Sequence, residues 1–312
     1  MTKELKLFSG TAHRGLAAEI AQYLKLPLGD ADVTRFSDGE VFVQINENVR
    51  GSDVFVIQSM SEPANHHLME MLFMIDAARR ASAARITAVI PYYAYAKQEK
   101  KTSGREPISA KLMANLIVTA GADRILAIDL HAPAIEGFFD IPVDHLRATP
   151  LLAERIKRTR ENDLVAVSPD AGGVARADAF RTRLRAPLAI ISKRHPEPDE
   201  TEVLEMVGDV EGRLAIIVDD MISTGGTMIV AAEMLKERGA RKVVAAATHG
   251  IFAGDALELF HQSSIERVYV TDSLPLPPGG KADRIEIVPV APMLAEAIMR
   301  IHKDLSISAL FS

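Results

Sequence analysis

The sequence contains no cysteine. That absence excludes disulfides, zinc–thiolate centres and thiol nucleophiles together. Long apolar runs are missing too: none approaches the roughly 18 residues that a bilayer-spanning helix needs. The first residues, Met1-Thr2-Lys3-Glu4-Leu5-Lys6, lack the apolar stretch of a secretory signal. Positive charge is not in excess, since the formal net charge is −6. This argues against broad nucleic-acid binding, which draws on a basic surface, but a few local cations and amides can still hold phosphates. A Walker-type Gly-x-x-x-x-Gly-Lys-Ser/Thr loop is also lacking. The expectation is a cytoplasmic protein with neither membrane nor nucleic acid as partner.

What is present is the balance of a soluble globular chain, 312 residues with 48% hydrophobic and 25% charged. The length suffices for two domains with a full core each. Short β-branched runs alternate with segments of helical period, the pattern of a parallel sheet with crossover helices. Val54–Gln58, Arg85–Ile90 and Ile125–Asp129 read as strands in the first half, with Leu68, Leu72 and Ile75 on one helix face. Ser109 is placed to cap the helix carrying Leu112 and Leu116. The second half repeats the order with strands at 164–167, 188–191 and 214–218 and helices after Gly173 and from Thr227. Matching the charged loop 91–107 to the one beginning at Lys193 aligns the halves as an internal duplication. Thr149-Pro150 reads as a helix start, Thr as cap and Pro in the first turn. The domains expected are 1–146, 147–290, and a C-terminal helix and tail, 291–312, whose helix packs back on the first domain.

In open parallel sheets ligands bind beyond the carboxyl ends of the strands, so residues just after each strand carry the information. The segment Ile216-Ile217-Val218-Asp219-Asp220-Met221-Ile222-Ser223-Thr224-Gly225-Gly226-Thr227 delivers two acids and then a small-residue turn that opens a helix. Amides at such a helix start, with the dipole behind them, cradle a phosphate, and the glycines admit a close approach. The acids suit sugar hydroxyls; the plainer alternative is a helix capped by Thr224. Taken alone, His131 after Asp129 reads first as a core histidine and the charge run Lys97–Lys101 as a solvated loop, while Lys193-Arg194-His195 after a strand is either a solvated turn or an anion clamp.

The turn at 219–227 resembles the phosphoribosyl-binding loop of the type I phosphoribosyltransferase fold. Phe36-Ser37-Asp38-Gly39-Glu40, Asn48-Val49-Arg50-Gly51, Pro107–Lys111, Asp129–Ala132, Gly137–Asp144, Ser168–Gly173, Thr248–Phe252 and Ser306–Phe311 narrow the resemblance to ribose-phosphate diphosphokinases, nearly end to end. It implies an α/β fold of two similar domains, each a mostly parallel twisted sheet flanked by helices. It also implies transfer of the β,γ-diphosphoryl group of Mg-ATP to ribose 5-phosphate. Phe36, Asp38, Gly39, Glu40, Lys97 and Gln98 would hold ATP. Lys193 and Arg194 would stabilise the transferred group from a mobile loop. His195, Asp219, Asp220, Ser223, Thr224, Gly225, Gly226 and Thr227 would bind ribose 5-phosphate. His131 and Asp170 would contact Mg²⁺, and a homo-oligomer, most plausibly a hexamer, would share the adenine pocket between subunits. Arg50, Ser82, Arg105, Ser306, Ser308 and Phe311 resemble the interface site where phosphate activates and ADP inhibits.

Three positions depart from the commoner pattern. Lys97 and His195 stand where many members carry arginine, and Ser223 where many carry aspartate. Lysine keeps the charge without the bidentate fork, and histidine is at most partly charged at neutral pH. These changes leave open a catalytically silent regulatory subunit, and the ribose loop alone would fit a phosphoribosyltransferase.

Overall fold

The computed structural model describes residues 3–194, 203–279 and 282–310. The chain divides into two compact units, Met1–Arg147 with Ser273–Pro275 and Val290–Ser312, and Ala148–Asp272 with Leu276–Pro289.

The first unit runs β1 (Leu5–Ser9), α1 (Arg14–Leu24), β2 (Ala31–Arg35), β3 (Val41–Ile45), β4 (Asp53–Ile57), α2 (Ala64–Arg80), β5 (Arg85–Ile90), α3 (Ser109–Ala120), β6 (Arg124–Ile128) and β7 (Val143–Leu146). Five of these strands form one parallel sheet in the order β1-β4-β5-β6-β7, and β2 pairs with β3 as a separate antiparallel hairpin. A strand inside a parallel sheet is covered on both faces, which is why β4 and β5 are nearly continuous apolar runs. Leu68, Met71, Ile75 and Ala78 of α2 supply a helical stripe to that core.

The second unit runs α4 (Thr149–Lys157), β8 (Leu164–Ser168), α5 (Val174–Leu184), β9 (Leu188–Arg194), β10 (Val203–Val207), β11 (Leu214–Ile222), α6 (Gly226–Glu237), β12 (Lys242–Gly250), α7 (Ala256–Gln262), β13 (Arg267–Thr271) and β14 (Ile285–Val288). Its seven strands are ordered β10-β9-β8-β11-β12-β13-β14, all parallel except β10 against β9. The chain thus has the α/β class and the paired, helix-flanked sheets that its sequence implies. The last helix, α8 (Ala291–His302), is grouped with the first unit and packs on α1.

The two halves match, but not in the register that their charged loops suggest. Leu5 lies opposite Asp53 and Asp53 opposite Arg85; Leu164 lies opposite Leu214 and Leu214 opposite Lys242. This register equates β1 with β8 and β4 with β11. The helices between agree, since α1 and α5 are both 11 residues long and end in left-handed caps at Lys25 and Arg185. The β2–β3 hairpin, not loop 91–107, is therefore the counterpart of β9–β10. Loop charge reflects solvent exposure, whereas strand pairing is set by backbone hydrogen bonds, and only the latter keeps register. Two expected caps are also corrected. Ile108 and Ala148 occupy the N-cap positions of α3 and α4, and the Ser109 hydroxyl donates to Gln98 Oε1 at 2.6 Å instead.

One buried ion cluster fixes α8. Asp53 is fully buried at the start of β4 and accepts from Arg85 Nε and Nη2 at 2.8 and 2.6 Å, with His302 Nδ1 at 2.9 Å. Arg85 also donates to the Ile301 carbonyl and to Asp304. The bond to Asp53 holds the Arg85 guanidinium more basic than usual. Removing one partner of a buried pair strands the other charge, at about 3–5 kcal/mol. Asp53→Ala is expected to destabilise the first unit by about that amount in urea denaturation and to speed amide exchange in α8. A variant as stable as the parent would show the cluster to be dispensable.

Candidate active site

The acids expected after the strand lie inside it. β11 continues through Asp219 and Asp220 to Ile222, with Asp219 beside Ala247 and Met221 beside His249 of β12. The Asp220 side chain is 3% exposed and that of Asp219 25%. Asp219 Oδ1 accepts from the Asp220 amide at 2.8 Å and from Arg176 Nη1 at 2.6 Å, while Arg176 Nη2 reaches Asp220 Oδ1 at 3.1 Å. Burial and the adjoining Asp220 push the Asp219 carboxyl up to about 7, with Arg176 acting the other way.

Beyond the acids the chain turns at Ser223–Gly225 into α6. Gly225, not Thr224, occupies the N-cap position, and no side chain caps this helix. Gly225 has φ 82°, and a Cβ there would sit 2.4 Å from Phe260, so both backbone and packing demand glycine. Gly226 faces open space, with nothing within 4 Å of a Cβ position. Helix geometry supplies no acceptor for the first-turn amides, and the first turn holds no acid to compete with an anion. The loop after β12 braces the turn from behind: Phe252 and Ala253 amides donate to the Ile222 and Ser223 carbonyls. The arrangement can hold a phosphate on backbone amides and hydroxyl groups on a carboxylate pair.

Asp170 lies in the turn between β8 and α5, its Oδ1 accepting from the Gly173 amide at 2.8 Å. Lys193 and Arg194 do not follow β9 but belong to it, their backbones opposite Leu204 and Val203. The expected mobile catalytic loop, with His195, lies outside the described residues.

In the first unit Phe36–Glu40 forms the exposed tip of the β2–β3 hairpin. The Phe36 amide donates to the Glu40 carbonyl, Asp38 Oδ1 accepts from the Glu40 amide, and Gly39 takes φ 93°. The Phe36 ring is 53% exposed and meets Phe42 edge-on at 5.3 Å. Lys97 and Gln98 are exposed after β5, where the Gln98 amide donates to the Tyr95 carbonyl. His131 follows β6 in a turn held by His145, whose Nε2 accepts from the Leu130 amide at 2.8 Å. The other His145 nitrogen faces Glu136, and burial lowers the basicity of the ring. Among the described residues no group of three or more His, Asp or Glu side chains could hold a metal ion.

The six residues expected at an effector site divide. Arg50 and Ser82 are neighbours at the amino ends of β4 and β5, joined through the Gly51 amide and the Ser82 carbonyl. Ser306 and Ser308 follow α8 on the same unit, where Arg300 donates to the Ser306 carbonyl. Arg105, with φ 68°, lies in the segment after β5, at the opposite edge of the sheet. Phe311 lies outside the described residues.

Arg176 was not among the residues that the sequence singled out. A signal was available: it is the third residue of α5, and a cation in a helix's first turn opposes the dipole.

Comparison with known proteins completes the description. Residues 5–121 match the family model described as the N-terminal domain of ribose phosphate pyrophosphokinase, and residues 194–312 match the phosphoribosyl synthetase-associated domain. The ribose-phosphate pyrophosphokinase of Caldanaerobacter subterraneus subsp. tengcongensis is 52% identical over 100% of this chain and 99% of its own. That of Bacillus subtilis is 51% identical over 99% of this chain and 98% of its own. The crystal structure of phosphoribosylpyrophosphate synthetase from Mycobacterium smegmatis matches with a TM-score of 0.92 at 44% identity, covering 97% of this chain and 100% of that one. Identity at this level over the full length leaves one assignment: the chain belongs to the ribose-phosphate pyrophosphokinase family.

Proposed function

We propose that the chain transfers the β,γ-diphosphoryl group of ATP to the anomeric hydroxyl of ribose 5-phosphate, giving phosphoribosyl diphosphate and AMP. The observation that carries this reading is the end of β11, where a carboxylate pair leads into a glycine turn with uncapped helix amides. The turn Ser223–Thr227 takes the 5-phosphate, and Asp219 and Asp220 accept from the ribose hydroxyls. Attack of the anomeric oxygen on the β-phosphorus breaks its bond to the α-phosphate oxygen; AMP leaves with that oxygen, and the hydroxyl proton is released to water. Lys193 and Arg194 lie at the end of β9, beside β8 in the same sheet, and act as cations toward the transferred group. In the first unit the Phe36 ring stacks on adenine, Asp38 and Glu40 accept from it, the Gly39 turn aims them, and Lys97 and Gln98 contact the phosphates.

The donors present fit Mg²⁺. A lone carboxylate at Asp170, with no surrounding cage, suits an ion that keeps most of its ligands as water and phosphate, and His131 is the less usual partner. When bound, Mg²⁺ screens the phosphate charges and orients the ATP oxygens. Arg105 stands apart from Arg50, Ser82, Ser306 and Ser308 within one chain, so an effector site for phosphate and ADP would need a second copy, consistent with a homo-oligomer, most plausibly a hexamer. Among the described residues no helix is long and apolar enough to cross a membrane.

Purified protein with ATP and Mg²⁺ is expected to release AMP only when ribose 5-phosphate is added, with no ADP. Absence of AMP with phosphate present would favour the silent-subunit reading. Lys193→Ala should lower kcat by about 100-fold or more, and near-normal turnover would remove Lys193 from the mechanism. The raised Asp219 pKa of about 7 gives a pH test. Protonation removes the carboxylate acceptor, so the KM for ribose 5-phosphate should rise as pH falls through about 7. In Asp219→Asn that rise should flatten, leaving only the titration of the substrate phosphate.

A further inference from the structure

We propose that Arg176 is a positioning residue of the ribose site, its single guanidinium locking Asp219 and Asp220 as a paired acceptor for two sugar hydroxyls. The assignment rests on the reading that this strand end binds ribose 5-phosphate.

The geometry is specific. The two amino ends of one fork divide between the two acids, at 2.6 Å to Asp219 Oδ1 and 3.1 Å to Asp220 Oδ1. Because a guanidinium is planar and rigid, fixing one end fixes the other, so the two carboxylates are held in a set relation before ligand arrives. Lysine, a single point charge on a flexible stem, could satisfy either acid but could not orient both.

The position is also unfavourable for anything but such a task. Arg176 sits in the first turn of α5, where the helix end is itself positive. A cation there opposes the dipole and gains only through the acids opposite.

The duplication supplies a control within the molecule. Strand register places Gln58 at the position of Asp219 and Ser59 at that of Asp220, and helix register places Leu16 at that of Arg176. All three counterparts are buried in a half that folds the same way. The fold therefore needs none of the three charges. The first-half strand end is closed by its own side chains: Gln58 Nε2 donates to Glu70 Oε2 and to the His67 carbonyl, and Thr11 donates to Glu70 from both amide and hydroxyl. The preceding turn differs as well, with Glu62-Pro63 before α2 and no glycine at its entry. At the strand end itself, adjacent acids appear only in the half whose helix entry is open; the closed half instead turns the buried Glu70 carboxylate onto Gln58 and Thr11.

Among the described residues, the charged and titratable groups around Asp219 are Asp220 beside it, Arg176 from α5, buried His249 of β12, opposite Met221, and Asp170, whose Oδ1 shares with Arg176 Nη1 the space beside Gly173. Of these, Arg176 is the one that favours the ionised carboxyl, so its removal leaves two adjoining acids with a shared tendency to keep a proton.

Steady-state kinetics on the full-length enzyme test the assignment. Arg176→Gln is expected to raise the KM for ribose 5-phosphate at pH 7.5 by about tenfold or more, as for a lost charge-assisted contact, with the KM for ATP within about twofold of the parent. The pH at which the ribose 5-phosphate KM begins to rise should move upward. Arg176→Lys should restore part of the ionisation effect, leaving the pH midpoint closer to the parent while the KM stays raised. A KM and pH midpoint unchanged in Arg176→Gln would overturn the assignment, as would both variants melting below the assay temperature, which would make the arginine structural. If the parent itself makes no AMP with ribose 5-phosphate, the site reading fails first, and the two failures are thereby told apart.

Discussion

Two carboxyl groups on adjacent residues at the end of a buried strand are a problem that the rest of the second unit is arranged to contain. Asp219 and Asp220 cannot both ionise cheaply in so small a space, and water reaches only one of them well. One guanidinium from the neighbouring helix offsets the pair, and the Asp220 amide adds a further donor. The balance is incomplete: burial and the adjoining Asp220 still hold the Asp219 carboxyl above the usual carboxylate range. A site left in this condition gains when a ligand brings hydroxyl donors, so binding completes what folding leaves unfinished.

The parallel sheets determine where this can happen. In the five- and seven-stranded sheets all strands except β10 point the same way, so the loops that follow these parallel strands lie at one edge of each sheet. The Asp170 turn, the end of β9, the acids of β11 and the amides of α6 are placed along that edge by topology alone. The first unit has the same edge but a different content: its counterpart of the acid pair is Gln58, sealed by Glu70 and Thr11, and Ser59, whose hydroxyl donates to the Ser273 carbonyl. Its exposed features are instead a hairpin tip with a projecting Phe36 and a loop with Lys97 and Gln98. A duplicated framework has been given two different uses, one edge closed and one left open.

The extent to which the sequence disclosed this follows from the physics of each signal. The strands from Val54, Arg85, Ile125, Leu164 and Leu214 were legible because burial on both faces forces continuous apolar runs. β2 and β3 were not, since they form a hairpin outside the main sheet and bury little. The turn at 223–227 was legible because glycine with φ 82° against Phe260 has no substitute, and the plainer alternative, a helix capped by Thr224, falls because Gly225 holds the N-cap position. The register of the duplication was not legible, because it resides in backbone pairing. Arg176 escaped notice for a related reason: its nearer partner, Asp219, is 43 residues away in sequence, and only the fold brings the two within 2.6 Å.

The most direct test is a crystal structure of the protein with ribose 5-phosphate bound. The account predicts the 5-phosphate on the Ser223–Thr227 turn with the ribose hydroxyls on Asp219 and Asp220, and Arg176 still joined to both acids. Ribose 5-phosphate bound at the first-unit edge near Gln58 and Glu62, or at the β11 end with its phosphate turned away from the α6 amides, would contradict it.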